Sequence, residues 1–207
     1  MKTAQNAHSA HKITILAGIW KRTPLAVIDA DGLRPTPSRV RETAFSWLEH
    51  LLATHSTGAT VWENSCVIDA FAGTGALGLE AASRGAAAVH LCEPYRPAAD
   101  AIAQTLLKLN ATQVKLHRSS ALAVLTNLPA ACADVAFLDP PFAGDWLNKT
   151  ELQTAVLRVM KPTGLIYAEF GKTQAVLPWM GYEVLRSMAA GEVVVQVWGR
   201  VWGQVES

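Results

Sequence analysis

Cysteine is scarce in this 207-residue chain, with only Cys66, Cys92 and Cys132, far apart and in or beside apolar segments. There is no Cys-x-x-Cys pair and no cluster of histidines, so neither a zinc site nor a disulfide framework is expected. Long apolar runs are also missing: nothing approaches the roughly 20 residues that a helix needs to cross a bilayer. The short apolar stretch at residues 13–20 sits between Lys12 and Lys21-Arg22 and lacks the cleavage pattern of a signal peptide. Together these absences point to the cytoplasm, with the cysteines as small buried thiols. Internal repeats and low-complexity segments are absent as well.

What the chain does have is apolar mass. Half of its residues are hydrophobic, enough for one substantial core with a small appendage. The formal net charge is only +1, yet it is polarised. Residues 1–41 carry seven Lys and Arg against two Asp, a net +5, which leaves −4 for the rest. A basic N-terminal region on a near-neutral protein fits a nucleic-acid partner, although ordinary solvated lysines also account for some of that charge.

Residues 1–12 show no periodicity and read as a disordered tail. Residues 13–19 and 24–28 read as two short strands around the basic turn Lys21-Arg22-Thr23. Thr36 is placed as an N-cap with Pro37 at the first helical position, and Val40, Ala44, Trp47 or Leu48, and Leu51 share one face of the helix that follows. From Cys66 the pattern alternates: strands at 66–70, 88–92, 114–117, 135–138 and 165–170, helices at 76–84, 97–109, 120–128 and 149–160, and a turn at 161–164. Residues 183–187 and 192–201 close the chain as an antiparallel hairpin, with Trp198 and Trp202 read as core. This rhythm specifies an α/β, doubly wound, mostly parallel sheet, which binds ligands beyond the carboxyl ends of its strands where the strand order reverses.

Two strand ends carry chemistry. Asp139-Pro140-Pro141-Phe142 follows an apolar strand, and its prolines make a rigid ledge. Asp139 and the Pro140 carbonyl can accept hydrogen bonds from an exocyclic amine, and Phe142 offers a face on which a base can stack. The second site is Asp69-Ala70-Phe71-Ala72-Gly73-Thr74-Gly75-Ala76-Leu77-Gly78, a glycine-rich turn that opens a helix, followed by Glu93 at the next strand end. Gly73-x-Gly75-x-x-Gly78 also satisfies the dinucleotide fingerprint. A carboxylate in front of the glycines, at Asp69, is awkward beside a pyrophosphate and suits a cationic amino-acid moiety such as that of S-adenosylmethionine.

These residues, with Leu33-Arg34-Pro35-Thr36 and Arg39-Val40-Arg41-Glu42-Thr43, resemble the class I S-adenosylmethionine-dependent methyltransferases, and specifically the bacterial RsmD family. The resemblance covers nearly all of the chain after Ile13. It implies a Rossmann-like seven-stranded sheet and transfer of a methyl group to a guanine N2 in 16S ribosomal RNA. Residues 13–54 would form a basic hairpin and helix extension, and 55–207 the S-adenosylmethionine-binding domain. Cofactor contacts would fall on Asp69, Phe71, Gly73, Gly75, Leu77, Glu93, Ser120 and Asp139, and the target base on Asp139, Pro140, Pro141 and Phe142. RNA contacts would fall on Lys21, Arg22, Arg34, Thr36, Arg39 and Arg41. At the adenine position this chain departs from many relatives, with Ser119-Ser120 in place of Asn or Asp. The implied partner is ribosomal RNA within a small-subunit particle, met by a monomer without metal or membrane. Open beside this reading are another RNA or adenine N6 of DNA as substrate, a nicotinamide-dependent oxidoreductase, and a non-catalytic RNA-binding module.

Overall fold

A computed structural model describes residues 13–28, 36–54 and 60–200. The tail at 1–12, Arg34, Val201 and Trp202 lie outside the described residues.

Strands β1 (Ile13–Thr14) and β2 (Pro24–Leu25) pair antiparallel, Ile13 opposite Leu25. They are shorter than the 13–19 and 24–28 expected, because the next residues turn to another partner. The backbone N–H groups of Leu16 and Ala17 donate to the two carboxylate oxygens of Glu80 at 2.6 and 2.9 Å. Trp20 N–H donates to Ser83 Oγ at 2.9 Å, and Ser83 Oγ donates to the Ala17 carbonyl at 2.6 Å. Glu80 is fully buried and also paired with Arg84 at 2.8 Å, so a carboxylate with several partners replaces the missing ladder. Gly18, at φ +79°, lies against Ser83, where a Cβ would come within 1.8 Å of the carbonyl oxygen.

Helix α1 (Ser38–Ala53) buries Val40, Ala44, Phe45, Leu48 and Leu52. The stripe follows Leu48 and Leu52, with Trp47 and Leu51 on its flank. Its N-cap is Pro37, without a side-chain cap bond. Thr36 is therefore not the cap: its hydroxyl donates to Glu169 Oε2 at 2.8 Å, across 133 residues of sequence.

The main unit runs β3 (Cys66–Asp69), α2 (Ala76–Ser83), β4 (Ala88–Cys92), α3 (Arg96–Leu109), β5 (Val114–His117), α4 (Ala121–Leu125), β6 (Ala133–Leu138), α5 (Thr150–Val159), β7 (Met160–Gly171), β8 (Tyr182–Ala190) and β9 (Val193–Arg200). Gly85 (φ +112°) and Asn110 (φ +50°) turn the chain after α2 and α3. The seven strands lie in the order β5-β4-β3-β6-β7-β9-β8, parallel from β5 to β7 and antiparallel through β9 and β8. This is the class I methyltransferase fold, and its strand order reverses between β3 and β6.

Alternation along the strands divides the core. Val67, Val135, Phe137 and Tyr167 face α1 and α2, while Ile68, Ala136, Leu138, Ile166 and Ala168 face α4 and α5. Phe137 packs between Phe45 and Tyr167, with ring centroids 5.6 and 5.5 Å away. Trp198 is fully buried. Two boundaries differ from the sequence reading. Residues 161–164 are strand rather than turn, because Lys161 reaches Asp134 on β6 at 2.7 Å. Helix α4 stops at Leu125, where Arg158 donates to the carbonyls of Leu125 and Leu128. Among the described residues, no helix is long and apolar enough to cross a membrane.

Candidate active site at the strand reversal

Asp69 and Asp139 stand at the carboxyl ends of β3 and β6, the two strands between which the order reverses. The strands are in register as Asp69 opposite Phe137, and Ala70 N–H donates to the Phe137 carbonyl at 3.0 Å. The carboxylates are close enough for the charge of Asp69 to raise the proton affinity of Asp139. Phe71, beyond Asp69, meets Trp146, beyond the ledge, with ring centroids 5.9 Å apart. The glycine loop and the Asp-Pro-Pro-Phe segment are therefore neighbours at the strand reversal.

On the loop side, Gly73 (φ +54°) and Gly75 (φ +77°) both adopt left-handed backbone, which allows the tight turn into α2. A Cβ on Gly78 would come within 2.2 Å of a Leu91 methyl, so glycine there lets α2 pack on β4. Asp69 is 1% exposed. One of its oxygens accepts from the Gly78 backbone N–H at 2.9 Å, while Oδ1 is buried with no partner. Burial, with a smaller contribution from Glu93, pushes its pKa up to about 7 against the pull of the Gly78 bond and a weaker one from the Phe71 backbone. An ammonium group would supply what Oδ1 lacks. Glu93 accepts backbone N–H bonds from Gly73 at 2.8 Å and Tyr95 at 2.7 Å, which tie β4 to the glycine loop. Burial raises its pKa in spite of both bonds. Leu77, expected among the cofactor contacts, has its side chain in the core at the first turn of α2. Ser120 is exposed at the N-cap of α4, its hydroxyl accepting from Ala123 N–H at 3.4 Å.

On the ledge side, Asp139 is partly exposed, Pro140 buried and Pro141 exposed, and Phe142 keeps 44% of its surface open. The Phe142 carbonyl accepts from Gln174 Nε2 at 3.2 Å, anchoring the ledge to the β7–β8 loop. The pKa of Asp139 is held well above the ordinary carboxylate range, first by enclosure and then by the charges of Glu169 and Asp69.

The basic residues divide. Lys21 and Arg22 are exposed, but on a turn that Ile19 and Trp20 fasten to Ser83, the last residue of α2. That is the end of α2 away from the glycine loop, about 12 Å off along eight helical residues. Arg39 is exposed, three residues along the chain from Thr36, which bonds Glu169. Two expected RNA contacts are corrected. Thr36 is buried on Glu169, and Arg41 is 1% exposed with its guanidinium donating to the Thr14 carbonyl at 3.0 Å. Burial lowers the pKa of Arg41, and Glu80 partly offsets it. Arg41 ties α1 to the hairpin.

The sequence reading missed four residues. Trp146, on a 3₁₀ turn (Trp146–Asn148), lies under the Lys149 ammonium at 3.6 Å from its ring centroid; no motif marks either. Glu169 and Tyr167 sit on β7 within residues 165–170, a run otherwise apolar, and a lone acid in such a run was the available signal.

Known proteins resemble this chain over most of its length. Residues 13–199 match the family described as conserved hypothetical protein 95. The ribosomal RNA small subunit methyltransferase D of Haemophilus influenzae is 33% identical over 201 residues, covering 93% of this chain and 96% of its own. The protein of that name from Escherichia coli K12 is 33% identical over 197 residues, covering 94% and 93%. Among solved structures, yhhF of Escherichia coli, described as a candidate methyltransferase, superposes with a TM-score of 0.73 at 29% identity, over 91% of this chain and 98% of that one. The chain belongs to the RsmD family of methyltransferases.

Proposed function

We propose that this protein transfers a methyl group to the exocyclic N2 amine of a guanine in small-subunit ribosomal RNA. The reading is supported by one observation: a buried Asp69 with one unpaired oxygen and the ledge of Asp139 stand at the ends of adjacent strands where the sheet order reverses. The cofactor is S-adenosylmethionine, which supplies an activated methyl group on a sulfonium. Asp69 Oδ1 suits its amino group, Gly73 and Gly75 leave room for the chain, and Glu93 fixes the loop on which it would rest.

The remaining work belongs to the ledge. A base inside a stacked helix cannot bring its amine to Asp139, so the target must be extruded to lie against Phe142. Asp139 and the Pro140 carbonyl accept its N–H bonds and orient the nitrogen. An aromatic amine is a weak nucleophile, and positioning plus hydrogen bonding that favours a pyramidal nitrogen provide the catalysis. Arg39, with Lys21 and Arg22 at a distance, makes a small footprint. We therefore assign an assembled particle rather than naked RNA as the substrate.

The test is incubation with labelled cofactor and, separately, ribosomal RNA, small-subunit particles and DNA, followed by nucleoside analysis. N2-methylguanosine in the small-subunit pools supports the proposal. Methylated adenine in DNA, or a thermal shift with NADH but not with S-adenosylmethionine, would overturn it.

A further inference from the structure

Methyl transfer by the ledge and the glycine loop leaves one buried carboxylate without a task. Glu169, 2% exposed, lies on β7, where the parallel register pairs Leu138 with Ala168, so the next step along both strands sets Asp139 beside Glu169. Its Oε2 accepts two hydroxyl bonds, from Tyr167 at 2.6 Å and Thr36 at 2.8 Å. Both donors are themselves buried. No salt bridge reaches Glu169 or Asp139 among the described residues. An enclosed acid with two donors and no counter-ion is costly to keep charged.

Resting on the methyl-transfer reading, we propose that Glu169 is a positioning residue: pinned by Tyr167 and Thr36, it makes Asp139 the proton acceptor for the target amine. The amine nitrogen forms a bond to the methyl carbon as the carbon–sulfur bond breaks, and that electron pair stays on sulfur. The nitrogen then holds one proton too many, which passes to the Asp139 carboxylate and leaves with solvent when the product departs. The groups facing Asp139 are acidic, Asp69 from β3 and Glu169 from β7, and both favour its protonated form. Tyr167 stands beside Glu169, and Arg41 of α1 lies near enough to Tyr167 to feel it. Burial raises the pKa of Glu169 too, but the two hydroxyl bonds oppose that rise. The proton therefore settles on Asp139, the partly exposed member of the pair.

Glu169→Gln keeps the shape and removes the charge, and Thr36→Val removes one of the donors. Two measurements decide the matter: the pH profile of single-turnover methylation of small-subunit particles, and a carbon-13 titration of the Asp139 carboxyl in the cofactor-free protein. In Glu169→Gln the acidic limb and the Asp139 titration both move about one pH unit or more lower, the plateau rate falls about 10-fold, and cofactor affinity holds. Thr36→Val shifts the same way by less. Lost activity with limb and titration unmoved would make Glu169 merely structural and overturn the proposal, as would unchanged activity. Since the titration needs no RNA, an unmoved Asp139 overturns the inference whatever the substrate. A wild-type protein that methylates no ribosomal particle overturns the underlying reading instead.

Discussion

Replacing Asp69 by asparagine should make the cofactor-free protein more stable, and more so as the pH rises. Folding lifts the Asp69 carboxyl from its ordinary value of 3.8 to about 7. A carboxyl raised by folding contributes a stabilisation that is complete below about pH 4 and fades as the pH rises through its folded value. Between pH 5 and 7 the folded protein holds one more proton at this site than the unfolded chain, and at about 1.4 kcal/mol per pH unit it loses on the order of 3 kcal/mol. An asparagine in its place would not titrate. The amide carbonyl can keep the Gly78 bond, and the amide nitrogen takes the place of the unpaired oxygen, so packing changes little. The advantage of Asp69→Asn over wild type should therefore be about 3 kcal/mol larger at pH 8 than at pH 5, or roughly 6 to 12 °C in Tm for a chain of this size. Urea unfolding at the two pH values measures the difference with the packing term cancelled. An advantage equal at both, to within about 0.5 kcal/mol, would refute the reasoning.

If Asp69 meets the cofactor's amino group as proposed, S-adenosylmethionine affinity should rise with pH up to about 7 and hold until the cofactor's own amine loses its proton at about 8, and calorimetry showing a flat profile would remove Asp69 from the amino-group site. Asp139→Asn should cut single-turnover methylation at least 100-fold while leaving cofactor affinity within about twofold, which calorimetry and rapid quench check together. Arg39→Ala should weaken RNA binding and lower the slope of log affinity against log salt by about one, whereas Arg41→Ala should lower thermal stability because that side chain holds the hairpin. Gly18→Ala, whose Cβ would enter the Ser83 carbonyl at 1.8 Å, should destabilise by more than about 3 kcal/mol, read by urea unfolding.

Periodicity made the sheet legible. Apolar runs such as 66–70 and 135–138 and the glycine turn at 73–78 are local signals, and so was the ledge at Asp139. What escaped the sequence depends on partners far along the chain. The hairpin is short because Glu80, more than 60 residues on, takes its N–H groups. Thr36 has the composition of a cap and the position of one, yet its hydroxyl goes to Glu169. Arg41 lies in a basic block that reads as an RNA face, but α1 turns it inward. Trp146 enters the site only because the ledge folds back against Phe71. Local pattern gave the elements and two of the strand ends; long-range bonding decided which polar side chains turn inward.

The most direct measurement is a crystal structure of the protein with S-adenosylhomocysteine. The account predicts the ligand's amino group on Asp69 Oδ1 and its sulfur turned toward Asp139 and Phe142, with space for one purine between. A sulfur facing away from the ledge, or an amino group bound elsewhere than on Asp69, would contradict it.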